Sequence, residues 1–171
     1  MQMVKRGLAV FLTIWIAILL FMPKQQIYFK LEEVLGKQGI KLNEERVSED
    51  LFGLTLEGVH VYMKGVEVAK FKGARMTTLL FYTTVSVEDF EADKSLASVL
   101  PADVTYAEAL YALWDPLNIR IEMEGSFGGA RGVVSLSERT LHVDFNDTKG
   151  LDAIRGALKK GEKGWYYEAD L

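Results

Sequence analysis

The chain of 171 residues contains no cysteine, and only two histidines and three prolines. Without a thiol it cannot perform thiol catalysis, hold zinc through thiolates or carry a cysteine-ligated iron–sulfur cluster. It also lacks the Gly-x-Ser-x-Gly elbow of serine hydrolases and the His-Glu-x-x-His motif of zinc proteases. We therefore expect no enzyme activity, no metal and no cofactor.

Charge is absent from the segment 7–23 (GLAVFLTIWIAILLFMP), which Lys5 and Arg6 precede and Lys24 follows. As a helix this segment would be about 25 Å long, close to the ~30 Å hydrocarbon core of a bilayer. We expect residues 1–23 to form an uncleaved transmembrane anchor. The alternatives are a cleaved signal peptide, which is typically shorter and ends in a small-x-small site, and a buried core helix.

The basic pair before this segment predicts that the N-terminus is cytoplasmic and that the rest of the chain lies outside. In a bacterium with two membranes, that places a single-pass protein in the inner membrane with its C-terminal domain in the periplasm. All 24 acidic residues follow residue 23, against 18 basic ones (20 less Lys5 and Arg6), a net charge of about −6. This charge argues against nucleic acid as a partner, because phosphates require a basic surface.

Two periodicities divide the remaining chain. Residues 24–39 have apolar residues at helical spacing and predict an amphipathic linker helix. From residue 40 the alternation has period two, which predicts a β-rich domain over 40–171. The alternation slips by one residue at Gly58, where a bulge or tight turn is expected, and "KG" at 64–65 predicts a hairpin turn.

Two further helices are predicted within this domain. The sequence "TYAE" at 105–108 reads as a capping box that opens a helix ending before Pro116, over 105–114. Residues 151–160 predict a short helix with Leu151, Ile154 and Leu158 facing inward. The expected fold class is therefore α+β and mainly antiparallel β: a transmembrane helix, then a curved antiparallel sheet covered by two or three helices.

The glycine-rich stretch "GSFGGARG" (125–132) is a candidate phosphate loop, but it has neither the Lys-Ser/Thr pair of a Walker loop nor the Gly-x-Gly-x-x-Gly dinucleotide pattern. The alternating "VVSLS" that follows is typical of a strand, so no helix N-terminus is expected to hold a phosphate. We predict a β-hairpin turn here.

The remaining polar candidates lie on predicted strand faces. His60 and His142 fall on the polar side, and Asp144 shares a face with His142, a pattern that indicates a solvated sheet face rather than a metal site. Glu122 and Glu124 stand on an exposed strand, whereas glycosidase chemistry requires a cleft. No catalytic, cofactor-binding or metal-binding residue is predicted.

Apolar side chains give the only candidate contact surface. "MTTLLFYTTV" (76–85) holds more apolar residues in a row than one strand face can bury, which favours a doubly buried or bent strand, or alternatively a contact site. "WYYEADL" (165–171) raises the same question for a C-terminal strand that could accept another strand by β-augmentation. The candidate residues are Leu79, Leu80, Phe81, Tyr82, Trp165 and Tyr167.

Several short motifs resemble protein N of bacterial type II secretion systems and, more loosely, the AsmA-like envelope proteins. They are "GLTLEGV" (53–59), "GVEVA" (65–69), the "LL" step at 79–80 and "GSFGGARGVVSL" (125–136), and the resemblance spans most of residues 24–145. The resemblance implies a curved β-groove in the periplasm, tethered to the inner membrane and without catalytic residues. It also implies an accessory role in secretion, as for protein N, or phospholipid movement along an apolar groove, as for AsmA-like proteins.

Two functions follow as hypotheses. The first is a non-enzymatic, inner-membrane-anchored component of an envelope transport or secretion assembly that acts through contacts with envelope proteins. The second is a lipid-binding or lipid-conducting groove with phospholipid as its partner. A groove requires an apolar sheet face that is uncovered, whereas the first hypothesis expects the helices at 105–114 and 151–160 to cover that face.

Overall fold

The computed structural model describes residues 2–21, 24–79, 81–93, 103–147, 149–151, 154–161 and 164–171. In the described residues, two α-helices precede ten strands, and a short 3₁₀ turn, Arg155–Ala157, lies between the eighth and ninth strands. The helices are α1 (Gln2–Phe21) and α2 (Lys24–Lys37). The strands are β1 (Ile40–Glu49), β2 (Gly53–Met63), β3 (Val66–Thr78), β4 (Tyr82–Ala92), β5 (Asp103–Ala112), β6 (Asp115–Gly125), β7 (Gly128–Ser135), β8 (Thr140–Phe145), β9 (Lys159–Gly161) and β10 (Gly164–Asp170).

The ten strands form one antiparallel sheet with the order β1-β2-β3-β4-β5-β6-β7-β8-β10-β9. Each strand from β1 to β7 pairs with the next strand in the chain, so the sheet is a meander as far as β8, which pairs with β10. The predicted antiparallel, mainly β class is confirmed. The predicted helix at 24–39 is confirmed as α2, and the turn at 64–65 joins β2 to β3 with both residues at positive φ.

The slip in alternation at Gly58 is confirmed, but it occurs inside an uninterrupted strand rather than at a turn. Gly58 has φ +60°, a left-handed conformation that glycine adopts without steric cost. As a result, Leu56 and Val59, three residues apart, are buried in the same apolar cluster. Asp89 in β4 has a similar φ of +49°.

The predicted helix at 105–114 is wrong, because these residues belong to β5 and the turn that follows it. Alanine and leucine favour helices, but β5 pairs along its length with β4 and β6, and this tertiary pairing outweighs local propensity. The predicted capping box does not form. The Glu108 carboxylate instead accepts a hydrogen bond of 2.6 Å from the Tyr106 hydroxyl.

The predicted helix at 151–160 is reduced to the 3₁₀ turn, and β9 begins two residues after it. Residues 152–153 lie outside the described residues. Leu151, Ile154 and Leu158 face inward as predicted and are buried beneath the sheet. Of the helices expected to cover the sheet, only α2 is present among the described residues.

The glycine-rich stretch at 125–132 forms the predicted hairpin between β6 and β7, with Gly125 opposite Gly128. Gly128 has φ +76°, as a tight turn requires. Phe127, at the tip of this turn, is fully buried and contacts the Phe145 ring edge-on, with centroids 5.8 Å apart.

Helix α1 covers the predicted anchor and exposes most of its described apolar side chains. No helix within the described residues is long and apolar enough to cross a membrane. The sheet itself has two buried clusters. One joins Tyr28 of α2 to Leu54, Leu56 and Val59, and the other surrounds Phe127 and Leu151.

Candidate functional site

The structure separates the predicted contact residues into two places. Leu79 and Phe81 lie in the turn between β3 and β4, and Tyr82 begins β4, so the strand is interrupted rather than buried on both faces. Leu80 lies outside the described residues. Trp165 and Tyr167 lie in β10, where they pack against the Phe127 cluster.

One face of the sheet is apolar from strand to strand. Because residues directly opposite each other in an antiparallel pair share a face, the register places Val85, Ala109 and Ile121 side by side across β4, β5 and β6. The same register continues into β8 and β10, where Val143 lies opposite Tyr167. Trp165 and Tyr167 therefore belong to this face, which we call the apolar face.

Two elements cover parts of the apolar face. Helix α2 packs over β1 and β2 through Tyr28. Phe127, together with Leu151, Ile154 and Leu158, covers one end of the strands from β5 to β10. Between them lies a stretch that none of the described elements covers, with Val85 43% exposed and its neighbours partly exposed. The uncovered side chains are Val85, Val87, Ala109, Ile119, Ile121 and Val134.

A cavity of about 190 Å³ continues this uncovered stretch beneath α2. Among the described residues that line it, only Arg75 is charged; apolar neighbours include Leu31, Met76 and Val85. This cavity opens to the surface, because the lining side chains of Leu31 and Val85 are 52% and 43% exposed. An apolar molecule that enters it would bury this exposed apolar area.

Tyr28 forms part of the wall of this cavity and is only 5% exposed. Its hydroxyl is buried and makes no hydrogen bond of acceptable geometry. Burial, followed by the nearby Glu44 carboxylate, raises the pKa of this hydroxyl well above its ordinary value. The hydroxyl is therefore neutral at physiological pH, and the wall carries no charge at Tyr28.

The opposite face of the sheet is polar, and several of its charged side chains form ion pairs with a neighbouring strand. Lys70 lies 2.8 Å from Glu91, and Arg131 lies 3.4 Å from Glu122 on the neighbouring strand. Ion pairs as exposed as these contribute little stability, about 0–1 kcal/mol each. Their effect is to keep this face soluble, which sets it apart from the apolar face.

Both histidines lie on this polar face, as predicted. His60 Nδ1 is 3.3 Å from Glu67, and His142 Nε2 is 3.3 Å from Asp144, with the imidazole of His142 stacked on Tyr166. Within the described ranges, no group of three or more histidine and carboxylate side chains converges on one point. Two concavities, of about 450 and 490 Å³, meet around Gly58 and are lined mainly by polar residues.

No family model, no curated protein and no solved structure matches the chain. The resemblance to protein N and to AsmA-like proteins therefore remains a prediction from short motifs.

Sequence reasoning missed the contribution of β5 to the apolar face. Ala107, Ala109 and Tyr111 alternate with polar or larger residues on the other face, and this period of two was the available signal. Three alanines in 103–112 obscured it, because alanine is small on a strand and the strongest helix former.

Proposed function

We propose that the protein is a non-enzymatic, membrane-attached lipid-binding protein whose apolar sheet face accommodates the acyl chains of a phospholipid. The observation that carries the proposal is the uncovered stretch around Val85 and Ile121, which leads into an apolar cavity beneath α2. The helix at 105–114 that would have covered this stretch does not form, and the open face is what a groove requires.

The occupant is argued from the chemistry of the surroundings. The uncovered stretch is bordered by apolar covers on two sides, and the α1 helix of the same chain exposes side chains such as Leu8, Phe11 and Ile14. A chain that exposes such a helix is expected to reside at a lipid bilayer, so phospholipid is the apolar molecule present at the highest local concentration. Attachment by α1 to a bacterial inner membrane, with the sheet in the periplasm, is part of this proposal.

The test uses two valines that are exposed to nearly the same extent on opposite faces. Val85 is 43% exposed on the apolar face, and Val133 is 41% exposed on the polar face beside Arg120 and His142. The full chain is incorporated into vesicles that contain phosphatidylethanolamine with a photoreactive group on one acyl chain. After illumination, the labelled peptides are mapped by mass spectrometry.

We expect labelling of β4 to β6 in the wild type, its loss in Val85→Asp and its retention in Val133→Asp. Circular dichroism of both variants checks that the sheet is intact. Labelling confined to α1 in the wild type would overturn the groove while supporting membrane attachment. Equal labelling of the strands in both variants would show that the apolar face is not the binding surface.

A second candidate function is contact with an envelope protein through the edge of the sheet. Strand β9 pairs with only Gly164, Trp165 and Tyr166 of β10, so within the described residues the outer edge of β10 from Tyr167 onward has no partner strand. Such an edge can accept a strand from another chain. The Leu171 amide donates to Arg139, so odd-numbered residues of β10 direct their amides toward β8 and the Glu168 amide lies on the outer edge. Replacement of Glu168 by proline, which removes this outer backbone donor, should then abolish co-purification with an envelope partner but leave lipid labelling unchanged.

A further inference from the structure

The turns at one end of the sheet expose large apolar side chains. In a meander, alternate turns lie at the same end, so this end contains the turns before β2, β4, β6 and β8 together with the end of β10. Trp114 is 64% exposed there and Leu171 is 66% exposed. The exposed residues that define this surface, which we call the apolar rim, are Leu51, Phe52, Phe81, Leu113, Trp114, Leu117, Leu136 and Leu171.

The described turns at the other end are different. They contain Lys64, Asn146 and Asp147, and the one large aromatic residue among them, Phe127, is fully buried. Among the described strands and turns at that end, the large exposed apolar side chains are Met63 and Val66 beside a single turn, and Val34 of α2 lies near them, 44% exposed. The described residues at the two ends of the sheet therefore differ in how much apolar surface they expose.

Backbone hydrogen bonds join the turns of the apolar rim to one another. The Phe81 carbonyl accepts a bond of 2.8 Å from the Leu113 amide, and the Leu117 carbonyl accepts one of 2.8 Å from the Leu136 amide. The Phe52 carbonyl likewise accepts a bond of 2.7 Å from the amide of Thr78. The backbone of the rim is thus tied together from turn to turn, so that its exposed side chains project from one continuous edge.

Helix α1 ends near this same end of the sheet. Helix α2 runs antiparallel to β1, since Lys24 at its start lies beside Glu49 at the end of β1, with Nζ 3.7 Å from the carboxylate. Lys24 is 3% exposed, so this contact fixes the start of α2 on the sheet. Phe21, the last residue of α1, precedes it by three positions and therefore lies at the end that carries the apolar rim.

Charges near the apolar rim are balanced. Arg75 lies 2.9 Å from Asp50, and Arg120 lies 3.4 Å from Asp115. A backbone hydrogen bond from Phe52, with Arg75 as a weaker contributor, lowers the pKa of the Asp50 carboxyl below its ordinary value. Since the rim has no strong excess of either charge, it does not require an oppositely charged protein or an anionic headgroup.

We propose that the apolar rim lies in the interfacial region of the bilayer to which α1 attaches, so that the strands stand with one end in the membrane. Tryptophan and other aromatic residues favour this region because it is apolar on one side and wet on the other. The inference rests on the proposed membrane attachment and extends it. With the apolar rim in the bilayer, the uncovered stretch of the apolar face would meet the lipids at the rim end of the sheet.

The experiment uses tryptophan as a depth probe in the full chain, reconstituted in phosphatidylcholine vesicles whose acyl chains are brominated near the headgroup. Three tryptophans are present, at 15, 114 and 165. The variant Trp15→Phe/Trp165→Phe reports on the rim alone. The control replaces all three by phenylalanine and adds Val66→Trp, which is 62% exposed at the opposite end. Met63→Trp serves as a second control at that end.

We expect bromolipid to remove most of the Trp114 emission and to leave the emission from positions 66 and 63 unchanged. Quenching at both ends would overturn the inference, since the sheet would then lie flat on the bilayer. A Trp15-only variant completes the set. If Trp15 is quenched and Trp114 is not, the apolar rim stays in water although α1 is in the membrane. If neither is quenched, the membrane attachment fails and the inference fails with it.

Discussion

Replacing Tyr28 by phenylalanine is expected to stabilise the packing of α2 on the sheet. The Tyr28 ring is 95% buried among apolar side chains, but its hydroxyl has no hydrogen bond of acceptable geometry. A buried polar group without a partner costs about 1–3 kcal/mol of desolvation. Because Glu44 is close enough to the hydroxyl to raise its pKa, we expect a gain near the lower limit, about 1 kcal/mol.

Tyr106 provides the matched comparison. Its hydroxyl also lies beside a carboxylate, but it donates a hydrogen bond of 2.6 Å to Glu108. Hydrogen bonds to charged groups contribute about 1.5–3 kcal/mol to stability. Because Tyr106 is partly exposed to water, we expect its hydrogen bond to contribute about 1.5 kcal/mol, the lower limit. Tyr106→Phe should therefore destabilise the protein, so the same chemical change is expected to have opposite signs at the two positions.

The assay is equilibrium urea unfolding of the full chain in detergent micelles, together with hydrogen exchange of the α2 backbone amides. We expect a higher urea midpoint and slower α2 exchange in Tyr28→Phe, and a lower midpoint in Tyr106→Phe. A loss of stability in Tyr28→Phe as large as that in Tyr106→Phe would refute the reasoning, because it would mean that the hydroxyl donates to Glu44. An unchanged midpoint would also refute it, because the hydroxyl would then be hydrated.

Three further perturbations follow from single contacts. The hydrogen bond to Glu108, followed by burial, raises the pKa of Tyr106 to about 12 from the ordinary 10.0. The unfolded chain therefore loses this proton at a lower pH than the folded chain, and the free energy of unfolding should fall between about pH 10 and 12. Tyr106→Phe should remove this fall from a plot of unfolding free energy against pH. An unchanged slope in the variant would contradict the assignment. Phe127→Ala should cost about 3–5 kcal/mol of unfolding free energy in urea, because the ring is fully buried, whereas Leu117→Ala, 55% exposed, should change it by less than about 0.5 kcal/mol. Gly58→Ala should cost about 1–2 kcal/mol, since φ is +60° there; a urea midpoint equal to that of the wild type would mean that the backbone relaxes out of this conformation.

The apolar face could be predicted only in part. The alternation in β2 and the glycine at 58 were sufficient to place Leu54, Leu56 and Val59 on one side of the sheet. Successive residues of a strand point to opposite faces, and the left-handed Gly58 shifts this alternation by one residue, so that Val59 points to the same face as Leu56. The turns at 64–65 and 125–128 were also predictable, since the residues of a tight turn are chosen by local backbone geometry. What could not be predicted was whether anything covers this face.

Strand β5 explains why. Its residues favour a helix locally. Pairing with β4 and β6 makes the strand the state of lower free energy, and this pairing is not encoded in the residues of β5 themselves. That outcome removes a covering helix and adds a strand, so it changes the candidate site from covered to open.

The sequence alone was enough to predict strands over most of the sheet, the turns at 64–65 and 125–128, the amphipathic α2 helix and the absence of thiol chemistry. These depend on backbone preferences and side-chain composition within a few residues. Only the tertiary structure decided that Phe81, Trp114 and Leu136 share one end of the sheet and that α1 arrives at the same end. Such a surface is made by residues tens of positions apart in the chain, which hydrogen bonds between neighbouring strands bring together.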